Sequence, residues 1–113
     1  MKRFCQALDL VDAPEKIRLY QQYHENIWPE VAANIKRRGI RDMQIWQVEN
    51  RLFMIMEVAD DFNPEEAQEI AENDPVNEKW EALMSQFQKP LSVAKSDQKW
   101  VEMTKIFDLS DCR

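Results

Sequence analysis

Glycine, cysteine and histidine are scarce in this sequence. Its 113 residues include one glycine, two cysteines and one histidine, beside five prolines. So little glycine indicates regular elements joined by short loops. The cysteines, Cys5 and Cys112, stand near opposite ends without a Cys-x-x-Cys spacing or a neighbouring histidine, so no metal site is expected. We expect two free thiols in a reducing compartment.

Excess positive charge and long apolar runs are also lacking. The net charge is −6, and an acidic domain is poorly suited to the phosphate backbone of a nucleic acid. The longest basic run is Lys36, Arg37 and Arg38, placed where a predicted helix ends and where cations complement the helix dipole. No segment approaches the length of a membrane span or has the apolar core of a signal peptide. We therefore expect a cytoplasmic protein without nucleic-acid or membrane partners.

The order of predicted elements indicates an α+β fold in a single domain, residues 1–113. Apolar periodicity and capping signals predict strands over 4–11, 43–48, 52–58 and 100–109, a helix capped by Asp12 and running to about Arg38, and a broken helix over 64–72 and 75–87, with Asp74 as its second cap. This βαββαβ order is ferredoxin-like, with an antiparallel sheet and helices on one face. The other face keeps apolar side chains, so a second copy should cover it in a homodimer.

The only histidine, His24, falls within the apolar stripe of the first predicted helix. Tyr20 lies one turn before it and Trp28 one turn after it, at spacings where helix side chains touch. A half-buried histidine bonded to a backbone carbonyl would explain the position without any function. Two features favour a site instead. Flanking aromatic rings are typical of sugar-binding walls, and Pro29 inside the helix removes a backbone hydrogen bond and should kink it.

The segment from Tyr20 to Glu30 resembles the Tyr-x-x-x-His-x-x-(Ile/Val)-Trp-Pro-Glu signature of the L-rhamnose mutarotase family. The resemblance extends over nearly the whole chain. It implies a dimeric α/β barrel that interconverts the α and β anomers of a 6-deoxy-hexose without a metal or an organic cofactor. It also implies that His24 transfers protons, that Tyr20 contacts the sugar and that Trp80 lines the pocket.

One position departs from the family pattern. Better-known members carry paired tryptophans in the second helix, whereas here Trp80 is followed by Glu81. A carboxylate there can accept hydrogen bonds from a differently oriented hydroxyl, so L-fucose becomes an alternative to L-rhamnose. Glu57 shares a strand face with Phe53 and Ile55, and it either points into the site or pairs with Arg51 or a lysine.

The reaction that the resemblance implies, mutarotation, requires only proton transfer from these residues. Mutarotation opens a hemiacetal ring and recloses it, and a neutral imidazole near pH 7 serves as either base or acid. We expect Tyr20 to orient the sugar, because the ordinary pKa of a phenol, about 10, makes it a poor acid at neutral pH. Two other functions fit the same fold: a cofactor-free or haem-binding oxygenase, and a sugar-binding dimer without catalysis.

Overall fold

The elements of the chain follow the predicted order with one addition, a two-residue strand at Gln88–Lys89 that the sequence did not predict. The computed structural model describes residues 2–96 and 98–112. The strands are β1 (Lys2–Leu10), β2 (Ile40–Val48), β3 (Arg51–Val58), β4 (Gln88–Lys89) and β5 (Val101–Glu102), and the helices are α1 (Pro14–Glu25), α2 (Pro29–Arg37), α3 (Pro64–Glu72) and α4 (Pro75–Ser85), with a 3₁₀ turn at Leu109–Asp111. None of the helices in these ranges is long and apolar enough to cross a membrane.

The sheet has the order β2-β3-β1-β4, and β5 pairs with β1 beside β4. All of its strand pairs are antiparallel. This order, with β1 and β3 central and a helical layer after each of β1 and β3, is the ferredoxin-like arrangement. The predicted α+β fold is confirmed.

Proline marks the start of all four α-helices in the described ranges. Pro14, Pro29, Pro64 and Pro75 each occupy a first helical position, where the missing N–H costs no hydrogen bond. Asp74 caps α4 by accepting from the backbone N–H groups of Val76 and Asn77, as predicted. The prediction that Asp12 caps α1 is wrong. Ala13 immediately precedes Pro14 and takes the cap position without a side-chain bond, so Asp12 lies one residue too early.

The predicted first long helix is two helices rather than one kinked helix. α1 ends at Glu25, and α2 begins at Pro29 after Trp28, whose backbone is extended at ψ 130. A residue before proline is pushed out of the helical region, which explains why the break falls here. α2 ends at Arg37, and Gly39, just after the cap residue Arg38, has a φ of 90, a conformation that glycine adopts without strain.

The core lies between the helices and one face of the sheet. Its main cluster is Leu10, Tyr20, Val31, Leu52, Trp80, Met84 and Phe87. Leu52 and Met54 are buried on β3, and Phe53 between them turns to the opposite face, since side chains alternate along a strand. On that opposite side of the sheet Trp46 and Val48 are more than half exposed. Cys5 is half-buried, Cys112 is exposed, and both are free thiols.

The predicted final strand over residues 100–109 is mostly absent. Only Val101 and Glu102 pair with β1, and Met103 adds one backbone hydrogen bond to Cys5 O at 2.7 Å. Ladder pairing needs a neighbouring backbone, and from residue 104 the segment separates from β1, with a second cavity between them. Ile106, Phe107 and Leu109 are consequently exposed by 68–94% in a single chain.

Candidate active site

The break between α1 and α2 places His24 at the C-terminal end of a helix, beside a cavity. The His24 ring bonds through Nδ1 to the Tyr20 carbonyl oxygen, 2.8 Å away and one turn earlier. A carbonyl oxygen only accepts hydrogen bonds, so Nδ1 carries the proton and donates. In neutral imidazole Nε2 is then an acceptor, and among the described residues no hydrogen bond to Nε2 is made. The bond that a purely structural histidine would make therefore also prepares His24 as a base.

Two aromatic side chains contact this imidazole: Tyr20, as the helical spacing predicted, and Trp80, which the family resemblance placed in the pocket. The Tyr20 ring lies over His24 with centroids 4.4 Å apart, and Trp80 meets His24 edge-on at 5.4 Å. Trp28 packs edge-on against Trp80 at 5.2 Å but does not line the cavity. The expectation that Trp28 forms a wall of the sugar site is wrong: Trp28 supports Trp80 from behind, whereas Tyr20, His24 and Trp80 line the cavity.

Burial sets the protonation of both ring groups. It lowers the pKa of His24 below its ordinary 6.5, and the bond to the Tyr20 carbonyl opposes this only in part. Burial also raises the pKa of Tyr20 above 10, partly opposed by the hydrogen bond from Gln88. At pH 7 the site therefore presents a neutral imidazole and an un-ionised phenol.

Gln88 is a site residue without any signal in the sequence. It stands on β4, and its Nε2 donates to the Tyr20 hydroxyl at 3.4 Å. Its Oε1 is buried at the cavity without a hydrogen-bond partner in the described structure. A buried acceptor left unsatisfied costs about 1–3 kcal/mol, so a ligand hydroxyl donating to it would be stabilised.

The cavity has a volume of about 450 Å³, within the range of small-molecule sites. It lies between the helices and the inner face of the sheet. Apolar side chains make most of its wall, including Ile27, Val31, Ile45, Met54, Met56 and Met84. An apolar wall interrupted by a few polar groups suits a molecule with both C–H faces and hydroxyls, as a deoxy sugar has.

The structure places the two predicted acidic residues differently. Glu81 lines the cavity at its rim, is half-exposed, and has its carboxylate 3.4 Å from Lys99 Nζ. Glu57 is absent from the cavity, and the expectation that it points inward is wrong. Met54 and Met56 face the cavity, so the alternation of β3 turns Glu57 to the outer face, where it pairs with Arg3 at 2.7 Å.

Arg38 also lines this cavity, although the sequence assigned it only a place at a helix end. That place is confirmed, since Arg38 follows the last residue of α2. Its side chain bonds to two buried amides, Asn34 and Asn77, and reaches the cavity wall. The sequence gives no sign of this contact, because Asn77 is 39 residues away along the chain.

Comparison with known proteins finds relatives of this chain. The sequence profile described as L-rhamnose mutarotase matches residues 3–109. An L-fucose mutarotase of Xanthomonas campestris is 38% identical over 98% of this chain and 90% of its own length. An L-rhamnose mutarotase of Oceanobacillus iheyensis is 31% identical over 85% of this chain and 88% of its own.

A solved structure supports the fold independently. The crystal structure of an L-rhamnose mutarotase from Formosa agariphila superposes with a TM-score of 0.71, covering 96% of this chain and 98% of that one. Its sequence identity is 18%, so the likeness concerns the fold. The profile match over most of the chain and the two relatives above 30% identity agree. This chain belongs to the L-rhamnose mutarotase family.

Proposed function

We propose that this chain is a sugar mutarotase that interconverts the α and β anomers of a 6-deoxy-hexose, with His24 as the group that moves the proton. One observation carries the proposal. His24 is neutral, its Nδ1 is committed to the Tyr20 carbonyl, and it lines a cavity shared with Tyr20 and Trp80. Such an imidazole has one basic nitrogen available to a bound ligand and a pKa below neutrality.

The proton transfers balance with one imidazole. His24 Nε2 takes the proton of the anomeric hydroxyl while the bond between C1 and the ring oxygen breaks, which gives the open-chain aldehyde. The imidazolium then gives this proton to the former ring oxygen, which is within reach because both oxygens were bonded to C1 before the ring opened. Rotation about the C1–C2 bond exposes the other aldehyde face, and the reverse transfers close the ring to the other anomer.

The neighbouring groups hold the sugar during these steps. Tyr20 stays un-ionised, so its hydroxyl donates a hydrogen bond without losing its proton, and Gln88 fixes its position. Trp80 lines the cavity and offers its apolar ring to the C–H surface of the sugar. Well-placed acid–base groups accelerate reactions by about 10²–10⁴-fold each, which suffices for a reaction that already proceeds slowly in water.

The substrate class is common to both relatives, since L-rhamnose and L-fucose are 6-deoxy-hexoses. L-Rhamnose is the sugar of the matching family profile, and L-fucose is the sugar of the relative at 38% identity. Glu81, where better-known members have a second tryptophan, makes L-fucose a second substrate to assay beside L-rhamnose.

Saturation-transfer NMR tests this function directly. Irradiating the anomeric proton of one form of L-rhamnose or L-fucose should reduce the signal of the other form when catalytic amounts of protein are added. Calorimetry on the same samples measures binding. Sugar binding without faster exchange would replace the proposal by a non-catalytic sugar-binding protein, and neither binding nor exchange would refute it.

The pH dependence should follow the lowered pKa of His24. The neutral imidazole is the active base and is present above its pKa, which burial places below 6.5. The catalysed exchange rate should therefore fall to half of its plateau value only below pH 6.5. The chain has one histidine, so its ring proton resonance gives the pKa without assignment experiments. A midpoint at or above 6.5 would contradict this account of the site.

We also propose that a second copy covers the outer face of the sheet, completing a dimeric α/β barrel. Trp46 and Val48 on β2 are 61% and 57% exposed, and Ile106 and Phe107 project from the C-terminal segment at 94% and 68%. Apolar surface of this kind marks a contact with another chain. The two sheets would pack face to face and enclose the C-terminal segments.

Light scattering should accordingly give a mass near twice that of the 13.5 kDa chain. Ile106→Glu should shift the protein towards the monomer, because it places a charge in the shared face. Val93→Glu is the matched control, since Val93 is also exposed, at 73%, but lies outside the C-terminal segment and the sheet. A wild-type mass of one chain at micromolar concentration would contradict the dimer.

A further inference from the structure

Arg38 lines the cavity and has N–H donors that form no hydrogen bond within the described part of the chain. We infer that Arg38 is a specificity-determining residue that hydrogen-bonds a hydroxyl of the sugar away from the anomeric carbon, together with Glu81. The inference rests on the proposed function and adds to it the group that selects among 6-deoxy-hexoses.

Arg38 is fixed by two amides at its back. Its Nε donates to Asn34 Oδ1 at 2.7 Å and its Nη2 to Asn77 Oδ1 at 3.1 Å. Both asparagines are buried, with exposures of 0% and 2%. Buried amides that aim their oxygens at one guanidinium hold it in a single orientation, because each bond lost would leave a buried acceptor unsatisfied.

The orientation of both amides is set by their other partners. Asn34 Nδ2 donates to Ile70 O and to Asp74 Oδ2, both at 3.0 Å, and Asn77 Nδ2 donates to Ala71 O at 3.1 Å. Carbonyl and carboxylate oxygens only accept, so the nitrogens must face them and the Oδ1 atoms must face Arg38. The α3–α4 junction thereby positions the side chain that follows α2.

Two of the five N–H donors of Arg38 are used in this way, which leaves three. Within residues 2–96 and 98–112 Arg38 forms no ion pair and no further hydrogen bond. Arg37, the preceding residue, instead turns outward and bonds to Asp74 Oδ2 at 3.1 Å. A half-buried guanidinium with three free donors at a cavity can donate hydrogen bonds to the oxygens of a ligand. Sugar hydroxyls supply such acceptor oxygens.

Glu81 complements these donors and argues for a neutral sugar. It lines the same cavity and is close enough for its charge to favour the ionised form of Arg38, whose pKa burial lowers. A guanidinium that donates and a carboxylate that accepts can together bind neighbouring hydroxyls, which both donate and accept. The carboxylates of Glu81 and Glu102 at the cavity disfavour an anionic sugar.

His24 lies near the C-terminal end of α1, before α2 begins, whereas Arg38 directly follows the last residue of α2. The nine residues of this helix span about 13 Å at 1.5 Å per residue, so the two side chains approach a bound molecule from different directions. With C1 at His24, the Arg38 donors would meet a hydroxyl on another ring carbon, because both residues line the same cavity.

The test combines protein variants with substrate analogues. Wild type, Arg38→Met and the control Arg37→Met are assayed by saturation transfer on the preferred sugar and on its 2-, 3- and 4-deoxy analogues. We expect wild type to lose roughly 10- to 100-fold in kcat/KM on one analogue, the usual effect of a charged hydrogen bond. Arg38→Met should lose a similar factor on the parent sugar but little more on that same analogue. Arg37→Met should keep the wild-type pattern.

A purely structural role for Arg38 predicts a different pattern. If Arg38 serves only to satisfy Asn34 and Asn77, Arg38→Met will lower kcat/KM by the same factor on every sugar, and the inference is overturned. No loss on any sugar overturns it too. If Arg38→Met does not fold, Arg38→Lys, which keeps the charge but not the planar fork, should show the same selective loss at smaller size. Wild type inactive on all 6-deoxy-hexoses would instead refute the proposed function.

Discussion

Replacing His24 with alanine is expected to slow catalysed anomer exchange by about 10²–10⁴-fold, the usual contribution of a positioned general acid or base. The imidazole is neutral, and its Nδ1 is held by the Tyr20 carbonyl, so the side chain offers a single basic nitrogen. No other histidine exists in the chain to replace it. Exchange rates from saturation transfer at pH 7, corrected for the rate without protein, measure the effect.

Two further variants make this result specific. His24→Gln keeps an amide that can donate to the Tyr20 carbonyl but has no proton acceptor of suitable pKa, so it should be nearly as slow as the alanine variant. Gln22→Ala changes an exposed α1 residue outside the cavity and should retain the wild-type rate. A His24→Gln rate equal to wild type would mean that the imidazole only orients the helix end.

Replacing Trp80 with alanine is expected to lower the free energy of unfolding by about 3–5 kcal/mol, the usual cost of removing a buried aromatic ring. Trp80 is 5% exposed and packs edge-on against Tyr23, His24 and Trp28. Native domains have free energies of unfolding of about 5–15 kcal/mol, so this one substitution would remove a large fraction of the stability. Urea denaturation followed by circular dichroism measures it.

The Trp80 ring both packs in the core and lines the cavity. Trp80 fills the junction between the α1–α2 break and α4 while its other side forms the cavity wall. Trp80→Phe keeps an aromatic ring and should cost much less. Lys79→Ala, at the exposed neighbouring position of α4, should change stability by about 0.5 kcal/mol or less. A loss below about 1 kcal/mol for Trp80→Ala would show that the ring is not part of the core, against the range found for buried aromatics.

The local rules of the sequence predicted most of the fold. Proline positions set the helix starts, and strand alternation with short turns gave the order of elements. The errors arose where tertiary partners decide. Residues 104–109 have a strand-like sequence but no neighbouring backbone in the chain, and the inward expectation for Glu57 failed because the alternation of β3 was assigned the wrong inner face.

The residues of the candidate site were likewise predicted from the sequence only in part. Tyr20 and His24 follow from helical spacing, because residues four apart on one helix must touch. The role of Trp80 came from the family resemblance, and the structure places the ring beside His24. Gln88 and Arg38 could not be found from the sequence, since neither belongs to a motif and each depends on partners 39 to 68 residues away.

The central claim is that His24 moves the proton between the anomers of a bound 6-deoxy-hexose. The most direct measurement compares saturation transfer between the anomeric protons of L-rhamnose and of L-fucose at pH 7 with wild type and with His24→Ala at equal concentration. We predict strong transfer with wild type for at least one sugar and transfer close to the protein-free level with His24→Ala. Equal transfer with both proteins would contradict the claim.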